Sequence, residues 1–193
     1  MEALRQAKAA GLDATGEVTA HHLLLEDRDV RGPMWKMNPP LRAHEDRMAL
    51  IEGLESGALD FIASDHAPHT EEEKCQPMDK APFGIVSLET AFPLLYTEFV
   101  ASGRWSLEQL VNWMSTAPAG RFGLEGTGDI RPGYRADLVL IDEARPGVID
   151  KRTFLSRGSN TPFDTWPTAC TILETVSRGR TVWKDTGTEK KGS

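Results

Sequence analysis

Cysteine is scarce. The 193-residue chain holds two, Cys75 and Cys170, 95 positions apart. That spacing gives neither a paired-thiolate metal site nor a disulfide scaffold, and it suits a reducing compartment. No hydrophobic run approaches the ~18 apolar residues of a membrane span. The N-terminus, MEALRQAKAAG, reads as a charged helix and not as a signal peptide. Positive charge is in deficit, with 22 Lys and Arg against 29 Asp and Glu, so the net charge of −7 disfavours a phosphate-backbone partner. Ser64 lacks the G-x-S-x-G setting of a serine nucleophile. The absences leave a soluble, cytoplasmic chain without nucleic acid or membrane partners. Apolar residues at 39% and charged residues at 26% fit a folded globular protein.

What is present divides near Gly126. Residues 2–10 are strong helix formers stopped by Gly11, and a short strand is expected at 14–19. Residues 26–42 carry Gly32, Pro33, Pro39 and Pro40 and read as a loop. A helix is predicted from about Ala43 to Glu55, with Met48, Ile51 and Leu54 on one face. The run 59–63, LDFIA, is too continuous for a half-exposed strand and fits a buried parallel one. Helices follow over 87–100, where Pro93 either kinks the helix or starts a second segment, and over 106–116, capped by Ser106. Beyond Gly126 come a buried-looking strand at 136–142 and a hairpin pairing 171–177 with 180–184 around Arg178-Gly179. The expectation is an α/β chain: residues 1–125 alternate strand and helix as a parallel layer, and 126–193 form a small β-rich module with a frayed tail.

The chemistry concentrates in SDHAPH, residues 64–69, directly after the buried run. Functional groups gather at the C-terminal ends of parallel strands, because the loops there vary over a rigid support. Asp65 at that end can ligate a divalent metal or serve as a base, but an Asp in this position is equally a turn former or helix cap. His66 and His69 follow, and Pro68 disfavours a shared helix face for Asp65 and His69. Asn38 is a loop anchor or a ligand hydrogen-bonder. Phe83-Gly84 reads as a turn in which Gly84 admits close backbone approach. His21 and His22, as neighbours on a strand, point to opposite faces, one inward and satisfied and one in solvent. The tryptophans read as packing and Glu71–Glu73 as solvated loop surface. Spacing alone leaves these alternatives open.

The segments EVTAHHLLL (17–25), KMNPPLRAHEDRMALIEGLESGALDFIASDHAPHTEEEK (36–74), APFGIVSLETAFPLLYTEFV (81–100) and GYRADLVLID (133–142) together resemble the C-terminal part of a bacterial-type dihydroorotase of the amidohydrolase superfamily. The resemblance covers essentially the whole chain. It departs at Ala20, where proline is typical, and at Ser64, where threonine is usual. It implies reversible cyclisation of N-carbamoyl-L-aspartate to dihydroorotate in pyrimidine synthesis. The implied fold is the last strand–helix units of a (β/α)8 TIM-like barrel, bearing zinc at its mouth, beside a small β-sandwich module. Carried over residue by residue, Asp65 is the zinc ligand and proton shuttle, and His69 contacts the substrate carboxylate. Asn38, Phe83 and Gly84 bind substrate, while His21 and His22 lie in a recurrent motif without being metal ligands. For assembly the resemblance offers a homodimer or association with aspartate carbamoyltransferase.

The family's H-x-H motif occurs nowhere in these residues, and its bridging acid and two further histidines belong upstream of Met1. A complete barrel takes about 250 residues. The resemblance therefore implies a C-terminal portion that is inactive alone, with one carboxylate unable to hold two zinc ions. Two other readings stand beside it: a sibling cyclic amidohydrolase such as an allantoinase or hydantoinase, and a noncatalytic dihydroorotase-like subunit scaffolding aspartate carbamoyltransferase.

Overall fold

The computed structural model describes residues 1–187. Helix α1 (Glu2–Ala9) ends as expected at Gly11, whose φ of +75° suits a residue without a Cβ. The Lys8 ammonium then reaches 49 to 52 residues along the chain. It donates to the carbonyls of Gly57 and Ala58 and to the Asp60 carboxylate, the last at 2.7 Å. Asp60 also accepts from the Gly16 amide at 2.8 Å. One carboxylate thus ties down the helix and the approaches to both strands of a parallel pair.

Those strands are β1 (Glu17–Thr19) and β2 (Phe61–Ala63), in register Val18 to Ile62. The buried parallel strand read from the LDFIA run is present, shortened to three residues. Between them lie α2 (Ala20–Leu24) and α3 (His44–Glu55). Ile51 and Leu54 of α3 are buried, with Met48 packed at the margin of the same core. The expected loop at 26–42 holds two short 3-10 turns, Asp27–Asp29 and Pro33–Trp35. After β2 a short helix, α4 (Glu71–Lys74), replaces the expected polar loop, because Thr70 and Glu73 form a capping box that satisfies two otherwise orphaned amides.

Helix α5 (Ala91–Leu95) starts four residues later than the pattern suggested and continues as a π-helical turn, Tyr96–Val100. Residues 87–90 turn instead, with the Thr90 amide donating to the Ser87 carbonyl at 3.0 Å. Pro93 consequently sits in the first helical turn, where its missing N–H costs nothing. Helix α6 (Leu107–Val111) has the Ser106 cap, closed by Gln109, and runs through a π-helical turn (Asn112–Thr116) into α7 (Ala117–Arg121). Phe99 stacks on Trp105 at 3.9 Å between ring centroids, and Trp105 meets Trp113 edge-on at 4.9 Å. The Trp105 indole N–H donates to Glu55 at 2.8 Å, so this tryptophan joins α3 to the later helices as packing.

Residues beyond 126 are antiparallel. Strands β3 (Leu138–Asp142), β6 (Thr171–Ser177) and β7 (Arg180–Lys184) form one sheet in the order β3-β6-β7. A second sheet pairs β4 (Gly147–Val148) with β5 (Pro167–Thr168). The β6–β7 hairpin turns at Arg178-Gly179, both at positive φ, as two-residue hairpins require. The buried appearance of 136–142 does not hold: Val139 is 56% exposed and Leu140 44%. An apolar run marks burial only where layers cover both faces, and the described residues leave β3 open. The expected frayed tail lies, from residue 188 on, outside the described residues.

Trp105 is 3% exposed at the centre of the aromatic cluster, so Trp105→Ala is expected to lower unfolding stability by about 3–5 kcal/mol in urea titration, with Trp183→Ala on β7 costing less. Burial pushes the Cys170 thiol up to about 11, so thiolate is scarce there at pH 8. Thiol labelling at that pH is expected to modify exposed Cys75 alone, with Cys170 reacting only after unfolding.

Candidate functional site

Asp65 stands two residues beyond the end of β2. Its φ of +46° is the left-handed region, which Asp tolerates better than most side chains but at a cost near ~1 kcal/mol. The parallel pairing brings the end of β1 beside it. There Thr19 caps α2 at once, its hydroxyl accepting from the His22 amide, so the chain turns helical immediately after the strand. His21 and His22 therefore lie on a helix, and the expectation of strand alternation fails.

The helical turn aims His21 inward. It is fully buried, and neither ring nitrogen has a hydrogen-bond partner, so the expected satisfied histidine is an unsatisfied one. Its Nε2 lies 3.9 Å from the Asp65 carboxylate. Burial, reinforced by the neighbouring His22 ring, pushes its pKa down to about 3, so the imidazole is neutral and the contact is not an ion pair. A neutral imidazole without a protein partner, facing a carboxylate, is the donor chemistry that zinc takes. Among the described residues no group of three or more His, Cys, Asp or Glu draws together for a metal, and His21 with Asp65 is a pair. His22 does structural work: its Nδ1 meets the Thr19 hydroxyl at 2.6 Å and its Nε2 donates to the Pro39 carbonyl at 3.0 Å. That bond ties α2 to the loop presenting Asn38, which is exposed.

His69 turns toward the Phe83 carbonyl, with its Nε2 at 3.0 Å and its Nδ1 3.5 Å from Glu73. Phe83 is 52% exposed under the Lys36 ammonium, 4.5 Å from the ring centroid. Gly84 is buried at φ +98°, and a Cβ there would stand 2.4 Å from the Ala67 Cβ. Close approach at Gly84 is thus real, but it is made by the chain's own 64–69 loop. His66 faces away from this group. Its Nδ1 accepts from the amides of Ser87 (3.1 Å) and Leu88 (3.3 Å), which makes it an anchor for that turn.

Two residues that sequence reasoning passed over hold the loops together. Asn160, 91 positions from His69, accepts from the His69 amide at 2.8 Å and donates to the carbonyls of Ala67 and Gly84. Lys74, 1% exposed, donates to the carbonyls of Pro82 and Gly84, each at 3.0 Å. Nothing local marks Asn160. Lys74 carried one signal, its place at the end of the capped EEEK turn. A cavity of about 310 Å³ beside β2, lined by Phe61, Ser64, Leu88 and Phe122 among others, lies apart from this cluster.

The comparisons bear on the same residues. The profile of the amidohydrolase family matches residues 6–182. The dihydroorotases of Bacillus licheniformis and Bacillus subtilis are each 54% identical over 189 residues, covering 94% of this chain and 43% of theirs. Among solved structures, an L-hydantoinase (dihydropyrimidinase) from Arthrobacter aurescens superposes with a TM-score of 0.87 at 34% identity, covering 95% of this chain and 42% of that one. A D-hydantoinase (dihydropyrimidinase) from Thermus sp. gives the same TM-score at 30% identity and the same coverage. The chain spans less than half the length of the relatives it matches. With a parallel α/β arrangement and a matched segment running almost from end to end, the chain belongs to the amidohydrolase family.

Proposed function

We propose that the chain carries the substrate-binding and proton-transfer part of a cytoplasmic dihydroorotase, interconverting N-carbamoyl-L-aspartate and dihydroorotate. The observation that carries the reading is identity of 54% to dihydroorotases across 94% of the chain, combined with the meeting of His21 and Asp65. In this reading residues 1–125 are the closing strand–helix units of a (β/α)8 barrel, supported by the parallel β1–β2 pair, and 126–193 are a small β-rich module beside it. A site at the C-terminal end of β2 is where such a fold presents its chemistry.

His21 and Asp65 are the residues that would hold zinc, with the remaining ligands supplied from outside these residues. Bound zinc supplies Lewis acidity and a more acidic water. Asp65 supplies the proton path: its carboxylate takes the proton of the attacking water and returns it to the ring nitrogen as the amide C–N bond breaks. Asn38, which is exposed, offers N–H donors to the substrate, His69 fixes the Phe83 carbonyl beside it through Nε2, and Phe83-Gly84 line the approach. Holding the His21 ring neutral keeps its lone pair available at pH 7.

A second reading, a hydantoinase-type cyclic amidohydrolase, is favoured by the TM-score of 0.87 to the Arthrobacter aurescens enzyme. A chimera in which this chain replaces the matched part of the Bacillus subtilis dihydroorotase separates the two. Turnover of dihydroorotate but not hydantoin is expected, with Asp65→Asn lowering kcat by about 10²- to 10⁴-fold. Hydantoin turnover alone would overturn the dihydroorotase assignment. His21→Ala is expected to weaken zinc binding by the chimera by about tenfold or more in chelator competition, since loss of an outer partner alone costs that much. Unchanged zinc affinity would remove His21 from the ligand set.

A further inference from the structure

Two ammonium groups converge on four successive residues of the chain. Lys74 donates to the carbonyls of Pro82 and Gly84, and Lys36 donates to the Ala81 carbonyl at 2.7 Å while lying over the Phe83 ring. A further Lys36 contact, at 3.4 Å, goes to the main-chain carbonyl of Asp79. Among the described residues no carboxylate pairs with either lysine, although acids outnumber bases by 29 to 22 in the sequence. A buried ammonium ordinarily takes an acidic partner, because carbonyls satisfy its N–H groups without neutralising its charge. Burial, and then the charge on Lys36, push the Lys74 ammonium down to about 8, which leaves it mostly charged at pH 7.

The arrangement has a directional consequence. The carbonyls of 81, 82, 83 and 84 are all taken by side chains, the third by His69. The main chain of this loop is therefore fixed while the positive charge beneath it stays uncompensated. Dihydroorotate differs from dihydrouracil by one carboxylate, which is the feature such a charge distinguishes.

We propose that Lys74 and Lys36 are a positioning pair for the Phe83–Gly84 loop, holding its carbonyls and supplying the positive field that selects a carboxylate-bearing cyclic amide over a neutral one. The selection half rests on the substrate-binding reading of that loop; the holding half does not. In the full chain, hydrogen exchange over 81–86 is expected to lose about tenfold protection or more in Lys74→Met, as fits removal of hydrogen bonds from a charged donor. Lys36→Met, at a partly exposed position, is expected to lose less and guards against a Lys74 variant that fails to fold. Unchanged protection in both folded variants overturns the holding role. In the chimera, either variant is expected to cut the preference for binding dihydroorotate over dihydrouracil by about tenfold, raising KM more than it lowers kcat. Equal weakening toward the charged and neutral rings overturns charge selection. A chimera without turnover would sink the dihydroorotase reading, while exchange in the chain still decides whether the lysines hold the loop.

Discussion

Everything at the candidate site depends on the parallel pairing of β1 with β2. Parallel strands place their C-terminal ends side by side, so the turn of helix after Thr19 must stand beside the loop after Ala63. The pairing is short, three residues per strand, and it is braced from below by Asp60, which holds Lys8 and the Gly16 amide. From that brace comes the contact between His21 and Asp65. The two residues are 44 positions apart in sequence yet 3.9 Å apart in space.

A second constraint works through main-chain carbonyls. The loops carrying Asp65, His69 and Phe83-Gly84 have little regular hydrogen bonding of their own, apart from the bridge of His66 to Ile85. Side chains take that role. Asn160 fastens the 67–69 stretch to Gly84, Lys74 and Lys36 hold 81–84, and His66 anchors 87–88. Asn160 and Lys74 are themselves buried, so loops fastened to them are held by side chains with little freedom of their own. The same buried polar network concentrates cost, since removing one member strands the others.

Family members similar in sequence and others similar in solved structure carry different names, dihydroorotase and hydantoinase. In this chain Asn38, His69 and the lysine-held 81–84 segment all sit on loops. The parallel layer and the loops that carry the candidate binding residues are thus separate parts of the chain.

Much was legible from local pattern. The LDFIA run, the Ser106 cap, the α3 face and the Arg178-Gly179 hairpin depend on neighbours within one turn or one ladder, and those forces are written in adjacent residues. The strand-end position of Asp65 came from the same logic. Whatever depended on distant partners was not legible. His21 was misjudged because a threonine cap just before it converts a strand into a helix, and its lack of a partner is visible only once α2 is packed. The 136–142 strand looked buried because apolar content does not say whether a second layer exists. Asn160 and Lys74 gave almost no signal, since their roles consist of main-chain carbonyls, those of Asn160 as far as 93 residues away. Residue order was enough for most of the elements, for the acid at the strand end and for the family likeness, all consequences of short-range sterics and side-chain chemistry. Which groups face that acid, and which charges stay uncompensated, was settled by packing, because burial and long-range contact are properties of the folded chain.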